Sequence, residues 1–112
     1  MKPSEKFKQQ SRDFRLQQAV EQLQSAAQQF RSAMEPYQHK MEADDGLLGM
    51  VMVSGIAMLV HSGIESPAAL DSTIEMAAAR SGIPKEAFEA YAHFTTAMIK
   101  AMEIRHQNNS PR

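Results

Sequence analysis

The chain contains no cysteine and no tryptophan. The first absence excludes disulfides and cysteine-ligated zinc or iron–sulfur centres, and it fits the reducing cytoplasm expected here. Net charge is nearly absent too. Lys and Arg number 12 against 13 Asp and Glu, leaving −1 with both signs spread along the chain. No global field therefore draws the protein toward nucleic acid or anionic lipid. No segment alternates apolar and polar residues as a half-buried strand does, which removes β-structure. No Gly-rich phosphate loop or Gly-x-Ser-x-Gly elbow occurs, and the serines fall at caps and turns. Neither an enzyme nor a cofactor is expected. The first thirty residues lack an apolar h-region, so no secretory signal is expected either.

What the chain does contain is helical periodicity. Leu16, Val20, Leu23, Ala27, Phe30, Met34, Tyr37 and Met41 follow at steps of four and three, the a/d seam of a heptad repeat. Ala19, Ala26 and Ala33 hold the adjoining g positions and let a partner backbone approach closely. Phe7 and Phe14 lie seven apart at position b, off the seam, where exposed aromatic surface marks a contact. A first helix from Ser11 to Ala43 would be about 50 Å long against a domain about 30 Å across. The overhang must be covered. A second copy or an unrelated helical protein is the expected partner, contacting Phe7, Phe14, Leu16, Ala19, Val20, Leu23, Ala26, Ala27 and Phe30. Pro36 removes the bond to Ser32, yet the seam keeps phase across it, so a kinked helix is predicted rather than a break.

Asp44 and Asp45 are positioned to cap a second helix beginning near Gly46. From there to Ile64 no Asp, Glu, Lys or Arg occurs, and apolar residues point in every direction around the helix. Such a helix belongs inside a bundle or a bilayer. Its acidic flanks and the lack of Lys, Arg, Trp or Tyr anchors favour the bundle core, so a membrane is not the expected partner. A single span over 46–64 remains the third reading.

Gly63 with Ile64 provides a left-handed stop, Ile64 folding back on Leu59. Ser66-Pro67 reads as N-cap plus first position of a third helix with Leu70, Ile74, Ala77 and Ala78 inward. Ser81-Gly82-Ile83 repeats the stop before Pro84 opens a fourth helix reaching about Gln107. Its inward stripe is predicted to be Phe88, Tyr91, Thr95, Met98 and Met102. The fold class is all-α: four helices with a long kinked N-terminal one, a central apolar one, a short one and a long C-terminal one. Residues 1–10 would form a flexible basic arm, 11–107 one domain and 108–112 a flexible tail.

Two constellations compete with the interaction reading. Ala78, Gly82, Ile83, Phe88 and Tyr91 resemble the spacing of a helix-turn-helix, which makes a DNA-associated regulator built on 67–95 the alternative function. Its nucleic-acid contacts would come from Lys2, Lys6, Lys8, Arg12 and Arg15 of the basic arm. Glu86 and Glu89 beside Lys85 argue against base reading there. Glu35 with His39, Glu89 with His93 and Glu103 with His106 have helical ligand spacing. A di-iron bundle, however, needs two Glu-x-x-His motifs and two further glutamates, so no metal is expected. His61 is read as a partner for the carbonyl end of its own helix.

Overall fold

A computed structural model describes the backbone of residues 3–109 and the side chains of residues 8–109. The described chain is all-α. Helix α1 spans Pro3–Met34, a 3-10 turn Glu35–Tyr37, α2 Gln38–Glu42, α3 Asp44–His61, α4 Pro67–Ser81 and α5 Lys85–Asn109. The first helix begins at Pro3 rather than at Ser11, taking in residues 3–10 of the expected arm.

The kink follows from proline chemistry. Pro36 has no N–H to give, and the chain tightens into the 3-10 turn before α2 resumes from Tyr37 at φ −119°, ψ 21°. The seam survives it: Met34 and Tyr37 pack against the core and Met41 is buried within it. A single extended residue, Ala43 (φ −76°, ψ 162°), then reverses the chain into α3. Ala43, not an aspartate, is the N-cap, its carbonyl accepting from Leu47 N–H at 2.9 Å. Asp44 and Asp45 instead occupy the first turn, where their charge still meets the positive end of the helix. So tight a reversal leaves no room for a side chain at Gly46, whose Cβ would fall on the Lys40 carbonyl and 2.8 Å from the Met41 Cα.

Both Ser-Gly-Ile stops form in the left-handed conformation, Gly63 at φ 77° and Gly82 at φ 73°. At the first, Ile64 N–H donates to Leu59 O and Gly63 N–H to Val60 O, satisfying two orphan carbonyls. At the second, Gly82 N–H donates to Ala78 O. Ser66 caps α4 through its hydroxyl, which accepts from Ala69 N–H at 3.3 Å, and Pro67 supplies the preset first position.

Helix α5 is the spine, packing against α1, α3 and α4. Its first half faces the main core, where Phe88, Ile83 and Val53 are fully buried. Gly49 makes this possible, since a Cβ there would sit 3.0 Å from the Phe88 ring and 3.1 Å from Ala77. Its second half faces α1 antiparallel. Phe30 packs on Tyr91 at 5.0 Å and stacks on Phe94 at 5.9 Å, and far along the pair Asn108 donates to the Arg12 carbonyl. Buried Thr73 and Thr95 return their hydroxyls to Ala69 O and Tyr91 O, so no buried side-chain polar atom among the described residues lacks a partner.

Three expectations change. Met98 and Met102 are exposed, because beyond Thr95 the buried line of α5 shifts to Ala97 and Ala101. The first helix does not overhang a compact domain. The molecule is itself elongated, 57 × 29 × 19 Å with a radius of gyration of 17.0 Å; about 13 Å is usual for such a length. The second predicted helix, α3, is not enclosed. It buries one stripe, Gly46, Gly49, Val53 and Ala57, against α4 and α5. With α1 on another flank of α5, none of the described residues covers the far side.

Candidate interaction surface

That far side of α3 is apolar. Leu47, Leu48, Val51, Met58 and Leu59 are all exposed, Val51 by 67%. Their angular positions place them around one line through Leu48, Val51, Gly55 and Met58, spaced three, four and three as in a heptad seam. Gly55 lies exposed in the middle, with nothing within 4 Å of where its Cβ would be. The missing side chain opens a groove of about 470 Å³ lined by Val51, Met52, Gly55, Ile56, Met58, Leu59 and Thr73. Leu48 also meets Met76 of α4 at a small cleft, extending the apolar area onto that helix, where Met76 is likewise exposed. Asp44 and Asp45 stand at one end and His61 and Ser62 at the other, while Thr73 borders the groove and Arg80 the cleft beside Met76. His61 does not serve its own helix end. Its Nε2 lies 2.8 Å from Glu103 Oε1, joining the end of α3 to α5, and the contact is an ion pair when the imidazole is protonated.

The seam residues of α1 are distributed differently. Ala19 and Ala26 are buried, Ala26 to 1% exposure, and α1 packs along α5 of the same chain. Leu16, Leu23, Ala27 and Phe30 flank that contact and are half-buried. Phe14 and Val20 are exposed. The alanine line that suggested close approach of a partner thus receives a helix of its own chain. The signal that could have revealed this is on α5, where Ala87, Ala90, Phe94, Ala97, Ala101, Ile104 and Asn108 also follow at steps of three and four.

Of the candidate nucleic-acid residues, Lys8, Arg12 and Arg15 recur at steps of four and three along one face of α1. Lys2 and the side chains of Lys6 and Phe7 lie outside the described residues. Lys8 is exposed, Arg12 is half-buried, and Arg15 borders a cleft with Gln18, Ala19, Gln22 and Ile104. Between α4 and α5 the grooves are lined by Asp71, Glu75, Glu89 and His93 with Lys85 as their one cation, an arrangement that repels phosphate. Among the described residues no group of three or more His, Asp or Glu could hold a metal ion. The exposed apolar residues of α3 can bind apolar surface and exclude water from it.

Compared with protein-family models, with curated proteins and with solved structures, the chain matches none.

Proposed function

We propose that this protein is a non-enzymatic α-helical interaction module of the cytoplasm, working by association with another helical surface or a second copy. One observation carries the reading: an apolar face along α3, centred on Val51 and Gly55, that none of the other described residues covers. Exposed contiguous apolar surface of this kind marks a contact site. Methionines at 58 and 76 add adaptable, polarisable surface to it. The heptad seam of α1 is largely taken up by α5 of the same chain, so the contact is assigned to α3.

A photoreactive amino acid at position 51, compared with one at Gln18 on α1, tests this in the producing cell. The expected result is a discrete protein adduct from position 51 and none from 18. Absence of any protein adduct at 51, or equal labelling at both, overturns the reading.

Insertion of Asp44–His61 into a membrane is the second reading. The helix has 18 residues and a mean hydropathy of 1.3, sufficient by length and composition. Insertion would strip Val53 and Ala57 from Ile74, Ala77 and Phe88, the cluster that holds the fold together. Adducts of position 51 to lipid alone would favour it. The DNA-associated alternative gains no support from the acidic α4–α5 grooves.

A further inference from the structure

We propose that the open face of α3 is an interface for a second copy of this chain, packed antiparallel, with Val51 of each copy entering the hollow over Gly55 of the other. This rests on the interaction reading above and names its partner.

The face is complementary to itself when reversed. In that register Leu48 stands opposite Met58 and Val51 opposite Gly55, with Leu47 and Leu59 flanking the seam on its two sides. Each of these two pairings sets an a-type position against a d-type position, as antiparallel helix pairs require. Bulk meets absence of bulk: Val51 is the most exposed side chain of the five, and Gly55 floors the groove beside it. A parallel pair would set Val51 on Val51 and Gly55 on Gly55, crowding one layer and emptying the next. It would also align the helix dipoles side by side, whereas the antiparallel pair brings opposite ends together.

Gly55 supplies an independent reason. Glycine inside a helix weakens it relative to alanine. At Gly46 and Gly49 the chain's own packing demands it, but at Gly55, beyond the helix's own adjoining backbone, no atom of the described residues lies within 4 Å of the absent Cβ. Close approach of another molecule is the use left for it.

Charge and area agree. No Asp, Glu, Lys or Arg lies between Gly46 and Ile64, so the pairing buries no formal charge in its centre, and Asp44 meets only Ser62 at the solvated rim. Leu47, Leu48, Val51, Met58, Leu59 and Met76 are large side chains, each more than a third exposed. At roughly the 150–250 Å² scale of large buried side chains, they together offer apolar area on the order of 500 Å² per copy. That is the apolar share expected of an interface burying ~800 Å² per partner.

The absence of native cysteine makes the register directly readable. Leu48→Cys protein mixed with Met58→Cys protein should oxidise to a covalent dimer at least tenfold faster than either variant alone. In the antiparallel pair, identical positions sit about 15 Å apart along the axis, beyond disulfide reach. Light scattering should give the wild type twice its 12.5 kDa chain mass. Val51→Glu should return the single-chain mass, and Val20→Glu on α1 should not. Gly55→Ala should raise the denaturation midpoint of dilute monomer yet weaken association at least fivefold. A merely structural glycine would not move the two in opposite directions. Fast 48–48 and 58–58 cross-links would overturn the antiparallel register, and a dimer broken by Val20→Glu but not Val51→Glu would overturn the α3 interface. A wild type that stays single-chain at high micromolar concentration overturns self-association while leaving the interaction reading standing. That reading falls if the position-51 photoprobe captures no protein or labels no more than the probe at position 18.

Discussion

Helices α1 and α3 exchange the roles that their sequences suggest. The first carries a narrow apolar seam on a polar, Gln-rich helix, the pattern of a contact awaiting a partner. It spends that seam on α5, with Ala26 almost wholly buried and Phe14 and Val20 left open among its described large apolar residues. The second is apolar on every side, the pattern of a core element, yet only 22% of it is buried. A seam reports that a helix needs another helix, without saying whose chain supplies it. All-round apolarity reports that water is unwelcome on each face, without saying what displaces it. In this molecule, cis packing satisfies the modest requirement and leaves the large one half met.

The sharpest way to break the comparison is to place one charge on each face of α3. Val53 is wholly buried and Val51 is not. Val53→Asp should lose about 3–5 kcal/mol of stability by chemical denaturation, because the carboxylate has no partner in that core. Val51→Asp should change the stability of dilute protein by less than about 0.5 kcal/mol. Equal losses would mean that α3 is enclosed after all.

On α1 the matching contrast is Ala26→Leu against Ala27→Leu. The first overpacks the contact with α5 and should lose about 1–3 kcal/mol. The second lies at the flank and should lose less than half as much. The glycines of α3 give a smaller effect of opposite signs. Gly49→Ala presses on Phe88 and should destabilise by about 1 kcal/mol or more, whereas Gly55→Ala meets open space and should stabilise dilute protein by up to about 1 kcal/mol. The smallest effect belongs to His61→Ala, which unties the end of α3 from Glu103. With Glu103 exposed, less than about 1 kcal/mol is expected in a thermal melt.

Much of the fold was legible because its signals are local. The proline kink, both Gly stops and the Ser66-Pro67 start depend on a few adjacent residues whose backbone chemistry acts wherever they sit. The side chain of the stop isoleucine does not. Ile83 is 1% exposed under the core, while Ile64 is 69% exposed despite the same tripeptide and the same left-handed glycine. What differs is the surroundings, which no tripeptide encodes. The faces of α5 escaped for a similar reason. Phe88 and Thr95 mark its side toward α3 and α4, but the side toward α1 is written in alanines at 97 and 101, which carry little hydrophobic weight and pack closely nonetheless. The surface of α3 was hidden by its own uniformity: when every position is apolar, periodicity cannot tell the covered face from the open one. His61 was assigned to its own helix end because Glu103 is distant in sequence and adjacent only in the fold. Lys40 is alike, its ammonium reaching the Gly82 carbonyl at 3.2 Å and securing the end of α4 from across the chain.

The nine methionines provide the most direct test, because their methyl groups report on each face at once. Methyl-labelled protein is examined by NMR with a soluble paramagnetic agent, first dilute and then concentrated. Dilute protein should show Met58, Met76 and Met102 broadened and Met41 protected, as their burial dictates. At high concentration Met58 and Met76 should become protected while Met102 stays broadened, placing the contact on the open face of α3. Protection of Met58 at every dilution would show that face to be covered within the chain, and selective protection of Met102 would place the contact on α5 instead; either result contradicts the account.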